Sequence, residues 1–451
     1  MTLRNCHSII LAAGMGTRMK SELPKVMHQI GGLPLVGHVL KALNVAGSDR
    51  ISVVVGPQMN TLEKLVSDLA PNSRCFVQTD RLGTAHAALA TEAELEMQSD
   101  DVLVLFGDTP LVTSETILKI RSELAAGADL VVLGFEAANP LGYGRLLTDN
   151  GQLVAIREEK DATDEERKTT LCNAGLMGFS GRHALELMKA IGNDNSKGEY
   201  YLTDAVEMAN ERGLTVVSVT GSEIEIQGIN DRGQLASCER DFQQQRRRSA
   251  MENGVTLVAP ETVFFSHDTV IGPDVVIEQN VVFGSGVKVA SGARIRAFSH
   301  LEGASVGAGS VVGPYARLRP GAVLGKNTRI GNFVEVKNTT FGDGAKANHL
   351  SYIGDASVGS MSNIGAGTIT CNYDGYLKHR TEIGAGSFVG SNSTLVAPIR
   401  LGDGVFVGAG SVVTKDAGTD TLAVGRSRQV NMDGRAKALR DRLQAAKDGE
   451  S

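Results

Sequence analysis

Two groups of side chains along this chain are spaced for chemistry on phosphorylated small molecules. The first begins at Leu11-Ala12-Ala13-Gly14-Met15-Gly16-Thr17-Arg18-Met19, with Pro24-Lys25 shortly after. Glycines in a turn let backbone N–H groups approach a base or a phosphate chain. Arg18 and Lys25 offer the cations a triphosphate needs. The string is not GxGxxG, because the third glycine is missing, and not a Walker A loop, because no GK[ST] follows. A glycine pair after a strand is explained by an ordinary tight turn; the whole string with its Pro-Lys is far more specific. Gln78 and Leu82-Gly83-Thr84 can read a base edge, and Gly107-Asp108 place a carboxylate just after an apolar run. Gly144, Glu158, Asn173 and Asn230 suit a sugar. Alone, Asp108 reads as a helix cap and the two asparagines as turn residues.

The second group is Arg319, Lys337, His349, Tyr352 and Asn363, followed by the segment Cys371–Thr381 with Asn372, Tyr373 and Lys378. An amine must lose a proton to attack a thioester, and imidazole is matched to that task near neutral pH. A lone histidine is more often structural. Here Glu335, Tyr352 and two cations accompany it, which points to chemistry.

The elements that position these groups are legible in the periodicity. From Ile271 to Val413 an aliphatic residue returns every sixth position: Ile271, Ile277, Phe283, Val289, Ile295 and Leu301 in one register, and Ile383, Val389, Leu395, Leu401, Val407 and Val413 in another. A six-residue period fits neither an amphipathic helix nor a half-buried strand. It fits a parallel β-helix in which each hexad forms one face of a triangular coil. Residues roughly eighteen apart then lie above one another, so Arg319 and Lys337 stack on one face; by themselves they read as two solvated cations, and with His349 nearby as a phosphate clamp. Gly272, Gly307, Gly313, Gly331, Gly354, Gly365, Gly384 and Gly402 sit where the turning chain needs positive φ or lacks room for a Cβ. The register slips near Leu301–Val306, Val336–Phe341 and Ile353–Val358, and breaks at Cys371–Thr381, an insertion of the kind that projects as a functional loop.

Upstream, apolar runs at Ser8–Ala13, Ile51–Val55, Val102–Phe106, Leu130–Phe135 and Thr215–Val219 read as strands. Amphipathic stretches such as Leu35–Val45 and Ser114–Ala126 fall between them, predicting a mainly parallel α/β sheet. Ligands of such sheets collect beyond the carboxyl ends of the strands. The organisation is therefore 1–230, an α/β domain with a mainly parallel sheet; 231–254, a linker helix; 255–425, a parallel β-helix of hexads; and 426–451, a tail that loses the repeat and reads as partly disordered. The net charge of -6 argues against bulk nucleic-acid binding. Five dispersed cysteines without CxxC read as free thiols in a reducing cytoplasm. The apolar run Ser8–Ala13 is far too short to span a membrane, and no signal peptide is expected because that run leads straight into GMGTRM.

LAAGMGTRM, PK, LGTAHA, FGDTPL, GYGR, EEKDAT, CNAG and GEYYLTD, in this order, resemble the sugar-1-phosphate nucleotidyltransferases. With the hexad half, the chain resembles the bacterial bifunctional N-acetylglucosamine-1-phosphate uridylyltransferase/glucosamine-1-phosphate acetyltransferases over all but its last stretch, which implies an α/β Rossmann-like nucleotidyltransferase domain, a linker helix and a left-handed parallel β-helix of hexapeptide repeats that carries the acetyltransferase. The resemblance implies that Leu11, Ala12, Ala13, Gly14, Gln78, Gly83 and Thr84 hold the uracil and ribose of UTP, and that Arg18 and Lys25 meet its phosphates. It implies Asp108 and Asn230 as Mg²⁺ ligands, with Gly107 beside them, and Gly144, Glu158 and Asn173 at the sugar. In the second half it implies His349 as base, Arg319 and Lys337 on the sugar phosphate, and Tyr352, Asn363 and Lys378 on the sugar or developing charge. It further implies that Ala366, Asn372, Tyr373, Ser391, Ala409 and Arg426 line the acetyl-CoA groove and that Glu335 supports the base. A homotrimer and a place in UDP-N-acetylglucosamine synthesis, ahead of bacterial cell-wall polymers, follow from the same resemblance. Two positions depart from it: Met15 replaces a lysine of some relatives, removing one phosphate contact, and Ala85 replaces a glycine near the base pocket.

Three alternatives are disfavoured. A nucleotidyltransferase whose solenoid only regulates or oligomerises would lack the His349, Arg319 and Lys337 cluster. A non-catalytic scaffold would not need Asp108, Lys25 and Arg18. A solenoid metalloenzyme needs three converging histidines, and His267, His300, His349 and His379 share no repeat-compatible spacing.

Overall fold

The computed structural model describes residues 4–449; the outermost residues of the first and last expected segments, 1–3 and 450–451, lie outside them. Two compact units emerge, Met1–Arg248 with Phe265–His267, and Ser249–Phe264 with Asp268–Ser451.

In the first unit, strands run in the order Val216–Thr220, Leu130–Glu136, Leu171–Ser180, Asp101–Phe106, Cys6–Leu11, Arg50–Val55 and Ser73–Val77. All are parallel to their neighbours except Leu171–Ser180. The central strands are apolar from Ile9, Val53 and Val102 to their carboxyl ends because both faces are covered. Ile10, Val53 and Leu103 pack with Val36 and Leu40 of helix Leu35–Val45 and with Ile117 and Ile120 of helix Ser114–Ala125. The alternate residues Ile9, Val54 and Val104 pack with Ala88, Leu187 and Val206 on the other side, as the two-residue strand period requires.

The expected strands are present with ends shifted by a residue or two, the first at Cys6–Leu11 rather than Ser8–Ala13. The antiparallel strand Leu171–Ser180 and the hairpin of Arg145–Asp149 with Gln152–Arg157 have no counterpart in the sequence reading. Asn173, Gly175 and Gly178 make the former resemble a loop, and its pairing with Leu130–Glu136 is irregular between Asn173 and Met177. That irregularity holds Asn173 and Gly175 at the rim of the sheet. A helix spans Arg232–Glu252.

The second unit is a parallel β-helix. Its two-residue strands stack into a ten-stranded and a fourteen-stranded sheet. A coil takes eighteen residues where Val276 pairs with Arg294, and seventeen where His300 pairs with Arg317, at the first slip. At the next two slips the strands lengthen to Glu335–Phe341 and Tyr352–Val358. Ile277, Phe283, Val289, Ile295, Leu301, Ile383, Val389, Leu395, Leu401, Val407 and Val413 are all buried; Ile271, in the first coil, is half-buried. Of the eight glycines singled out, only Gly313 has a positive φ. The others are short of room: a Cβ on Gly331 would lie 1.9 Å from the Asn348 carbonyl oxygen. The insertion folds as a hairpin, with Tyr373 bridged to Lys378 and His379 N donating to Asn372 O at 2.9 Å.

The tail differs from expectation. It carries a helix, Arg435–Gly449, with no buried residue. Its Ala, Leu, Arg and Lys content favours helix without tertiary support, and Lys437 pairs with Asp441 one turn on at 2.9 Å.

Candidate active sites

Leu11 and Phe106 end neighbouring parallel strands opposite one another, so the turns that follow open on one rim. Two adjoining hollows lie there, of about 330 and 320 Å³. Both are lined by Leu11, Thr84, Phe106 and Asp108. The first adds Gly144, Glu158, Asn173 and Asn230. The second adds Ala12, Gly14, Lys25, Gln78 and Gly83. Ala13 lies behind the rim, where its carbonyl accepts from Arg81 Nε at 2.8 Å. Gly107 packs so closely that a Cβ would sit 3.3 Å from Ala12, Ile10 and Val26.

The cations converge with two side-chain oxygens. Lys25 Nζ donates to Asp108 Oδ2 and lies 3.3 Å from Asn230 Oδ1. Arg18 Nη2 donates to the same Asn230 oxygen at 2.8 Å. Gly16 makes this possible: its φ is +60°, and a Cβ there would come within 2.6 Å of Lys25 Cβ. Met15 is exposed, and Ala85 is fully buried with its N–H on Tyr200 O.

Gln78 is buried, and its amide nitrogen lies 3.4 Å from Gly83 O and 3.1 Å from His86 Nδ1. No described protein group donates to its Oε1. Asn173 Oδ1 accepts from Gly175 N at 3.0 Å, and Asn173 N donates to Gly144 O at 2.8 Å. Burial holds the Glu158 carboxyl above its ordinary range, opposed by a hydrogen bond from Thr203 at 3.3 Å. Arg81 and Thr203 were not singled out from the sequence, although Thr203 lies within the GEYYLTD string.

In the second unit, His349 ends strand Lys346–His349 and lies opposite Asn332. Its Nδ1 is 2.7 Å from Asn332 Oδ1. An amide oxygen only accepts, so Nδ1 carries the hydrogen and Nε2 is left with its lone pair. The pairing of Ala347 with Ile364 brings Ala366 above His349. Asn392 N then donates to Ala366 O, Gly410 N donates to Ser391 O, and Arg426 Cδ lies beside Gly410. His349, Ala366, Ser391, Ala409 and Arg426 therefore follow one corner of successive coils. Asn363 lies on the adjoining face, between Lys346 and Phe388.

Past the corner, Tyr352 opens the next strand opposite Glu335. Leu318 pairs with Val336, which stacks Lys337 over Arg319 as the coil length predicts. Lys378 is brought by the hairpin against Lys337, whose ammonium lowers the Lys378 pKa. Asn372 is buried at the root of that hairpin and Tyr373 is exposed on it. One expectation is overturned: Glu335 accepts from Arg319 Nη1 at 2.8 Å and does not support His349. Carboxylate and guanidinium are complementary in charge and shape, and the partner of the histidine is Asn332. Coil spacing could have found it, since Asn332 lies seventeen positions before His349.

A sheet rim that gathers cations, and a parallel β-helix with a histidine at one corner, define a nucleotidyltransferase joined to a hexapeptide-repeat transferase. Residues 8–167 match the model of the MobA-like NTP transferase domain. Residues 268–303 and 303–338 match the bacterial transferase hexapeptide model of six repeats, and residues 380–415 match the hexapeptide repeat of succinyl-transferase. The chain is 56% identical over 452 residues to the bifunctional protein GlmU of Chelativorans sp. (strain BNC1), covering all of both chains. Its identity to the GlmU proteins of Azorhizobium caulinodans and Agrobacterium fabrum (strain C58) is 56% and 54%, over 98% and 99% of each chain. The chain belongs to the GlmU family of bifunctional transferases.

Proposed function

We propose that the chain catalyses two steps of UDP-N-acetylglucosamine synthesis: acetyl transfer from acetyl-CoA to glucosamine-1-phosphate at the β-helix, then uridylyl transfer from UTP at the α/β rim. The convergence of Lys25, Arg18, Asp108 and Asn230 on one point carries the second assignment. Gln78 Oε1 accepts the imide N–H of uracil, and Gly14 and Gly83 give its ring close access. Glu158, Asn173 and Gly144 grip the sugar. The sugar-1-phosphate oxygen attacks the α-phosphorus, the bond to the bridging oxygen breaks, and pyrophosphate leaves. The nucleophile is already an anion, so no general base is required; Lys25 and Arg18 align the phosphates and neutralise their charge. No covalent enzyme–nucleotide forms.

The same rim suits Mg²⁺. Asp108 and Asn230 present hard oxygens that already share one cation, the Lys25 ammonium, and hard oxygens are the ligands this ion takes. Bound there by Asp108 and Asn230, it would supply charge neutralisation on the phosphates.

At the β-helix, Arg319, Lys337 and Lys378 hold the sugar phosphate while Tyr352 and Asn363 contact the sugar. His349 Nε2 takes the proton shed by the 2-amino group as its nitrogen bonds to the acetyl carbon. The C–S bond breaks and CoA leaves. Acetyl-CoA lies along Ala366, Asn372, Tyr373, Ser391, Ala409 and Arg426. The match to hexapeptide-repeat transferases supports a homotrimer, with the acetyl-transfer site completed by neighbouring copies. Among the described residues no helix is long and apolar enough to cross a membrane. That and five unpaired cysteines support a cytoplasmic setting.

The test is a pair of assays on purified protein: CoA release with glucosamine-1-phosphate, and pyrophosphate release with N-acetylglucosamine-1-phosphate and UTP, each with and without Mg²⁺. Both activities are expected, with only the second dependent on the metal. Loss of CoA release on chelation would contradict the division of chemistry.

A further inference from the structure

The geometry points to Asp355 as the positioning residue that holds the two lysines of the sugar-phosphate clamp together, through Asn338 on one side and Asn372 on the other. This rests on the acetyl-transfer reading above and deepens it. Asp355 lies within strand Tyr352–Val358 and is 8% exposed. Its φ is 49°, a left-handed conformation that few non-glycine residues adopt. A buried carboxylate in that conformation needs compensating partners, and both of its oxygens have one.

Oδ1 accepts from Asn338 Nδ2 at 2.6 Å. Oδ2 accepts from Asn372 Nδ2. Asn338 directly follows Lys337. Asn372 opens the inserted hairpin, and its carbonyl accepts the His379 N–H that closes it next to Lys378. One carboxylate therefore ties the coil below, which carries Lys337, to the hairpin above, which carries Lys378.

The electrostatics agree with the geometry. Two adjacent ammonium groups repel, and Lys378 is lowered by Lys337 while Asp355 acts on it in the opposite sense. Burial pushes the Asp355 carboxyl up, but the Asn338 and Asn372 amides, and then the charges of Lys337 and Lys378, outweigh it and hold the group below its usual range. Asp355 is thus ionised between the segments that carry the two lysines. Without a phosphate it keeps them close; with one bound, they are already placed.

Asp355→Asn keeps the shape, removes the charge, and turns one of the two amide contacts into donor facing donor. The sugar-phosphate KM is expected to rise roughly tenfold, the equivalent of one strong charge-assisted contact, with kcat for acetyl transfer changed by less than about threefold. Inhibition by inorganic phosphate should weaken in parallel, and uridylyl transfer should keep its wild-type rate. Asn338→Ala, which cuts one arm of the bridge, should raise the same KM by a smaller factor. An unaltered sugar-phosphate KM in folded Asp355→Asn protein, or a fall in kcat alone, overturns the proposal. If Asp355→Asn does not fold, an unaltered KM in Asn338→Ala does so instead. A wild-type protein without acetyl transfer would instead overturn the functional reading beneath it.

Discussion

At the scale of single residues, the acetyl-transfer account turns on which nitrogen of His349 is free. Asn332 settles this by accepting from Nδ1. Asn332→Ala would leave the ring free to rotate and to change tautomer, so the acetyl-transfer kcat should fall by about 10–100-fold. The acetyl-CoA KM should hardly move, as steady-state kinetics can check; an unchanged kcat would mean that Asn332 does not orient the base. The pair also marks what a sequence can say about a side chain. Coil spacing told which residues stack, and Lys337 does lie over Arg319. It does not tell which way each side chain turns, and Glu335 turns to Arg319 rather than to the histidine. Similarly, the glycine string and Asp108 were legible as neighbours on one rim, while Arg81 and Thr203 were not. Their contacts, to Ala13 and to Glu158, span long stretches of chain.

At the scale of elements, local period decided most of what could be read. The hexads declare their inward residues because one aliphatic position per face must fill the prism. The central strands declare themselves because they are buried on both sides. Leu171–Ser180 has neither signature, and only its neighbours make it a strand. The short helix Ala205–Glu211 carries a testable charge at its start. Burial, then Glu207 and Glu158, push Asp204 up to about 6, against a smaller lowering by Arg157. The folded pKa lies above the unfolded value near 4, so the native state binds more protons between the two. Stability from this group is full below pH 4, falls as pH rises to 6, and is absent above. Asp204→Asn should therefore stabilise the first unit above pH 6.5 by about 1–2 kcal/mol, a figure reduced for partial exposure, and give no gain below pH 4. Thermal unfolding of both proteins across that range is the check; a gain independent of pH would assign the effect to something other than titration.

At the scale of the whole molecule, two folds with separate cores carry two chemistries on one chain. In the proposed function both sites work by fixed positive charge around a phosphorylated sugar: Lys25 and Arg18 at a sheet rim, Arg319, Lys337 and Lys378 on a prism. The prism is expected to assemble as a trimer, so sedimentation equilibrium should give about three times the 47.5 kDa chain mass; a monomer with full acetyl transfer would exclude a shared site. The most direct test of separate chemistries is a crossed pair of variants assayed for both reactions. His349→Ala should lose acetyl transfer by about 10²–10⁴-fold and keep uridylyl transfer, whereas Asp108→Asn should lose uridylyl transfer and keep acetyl transfer. Loss of both activities in either folded variant would contradict the account.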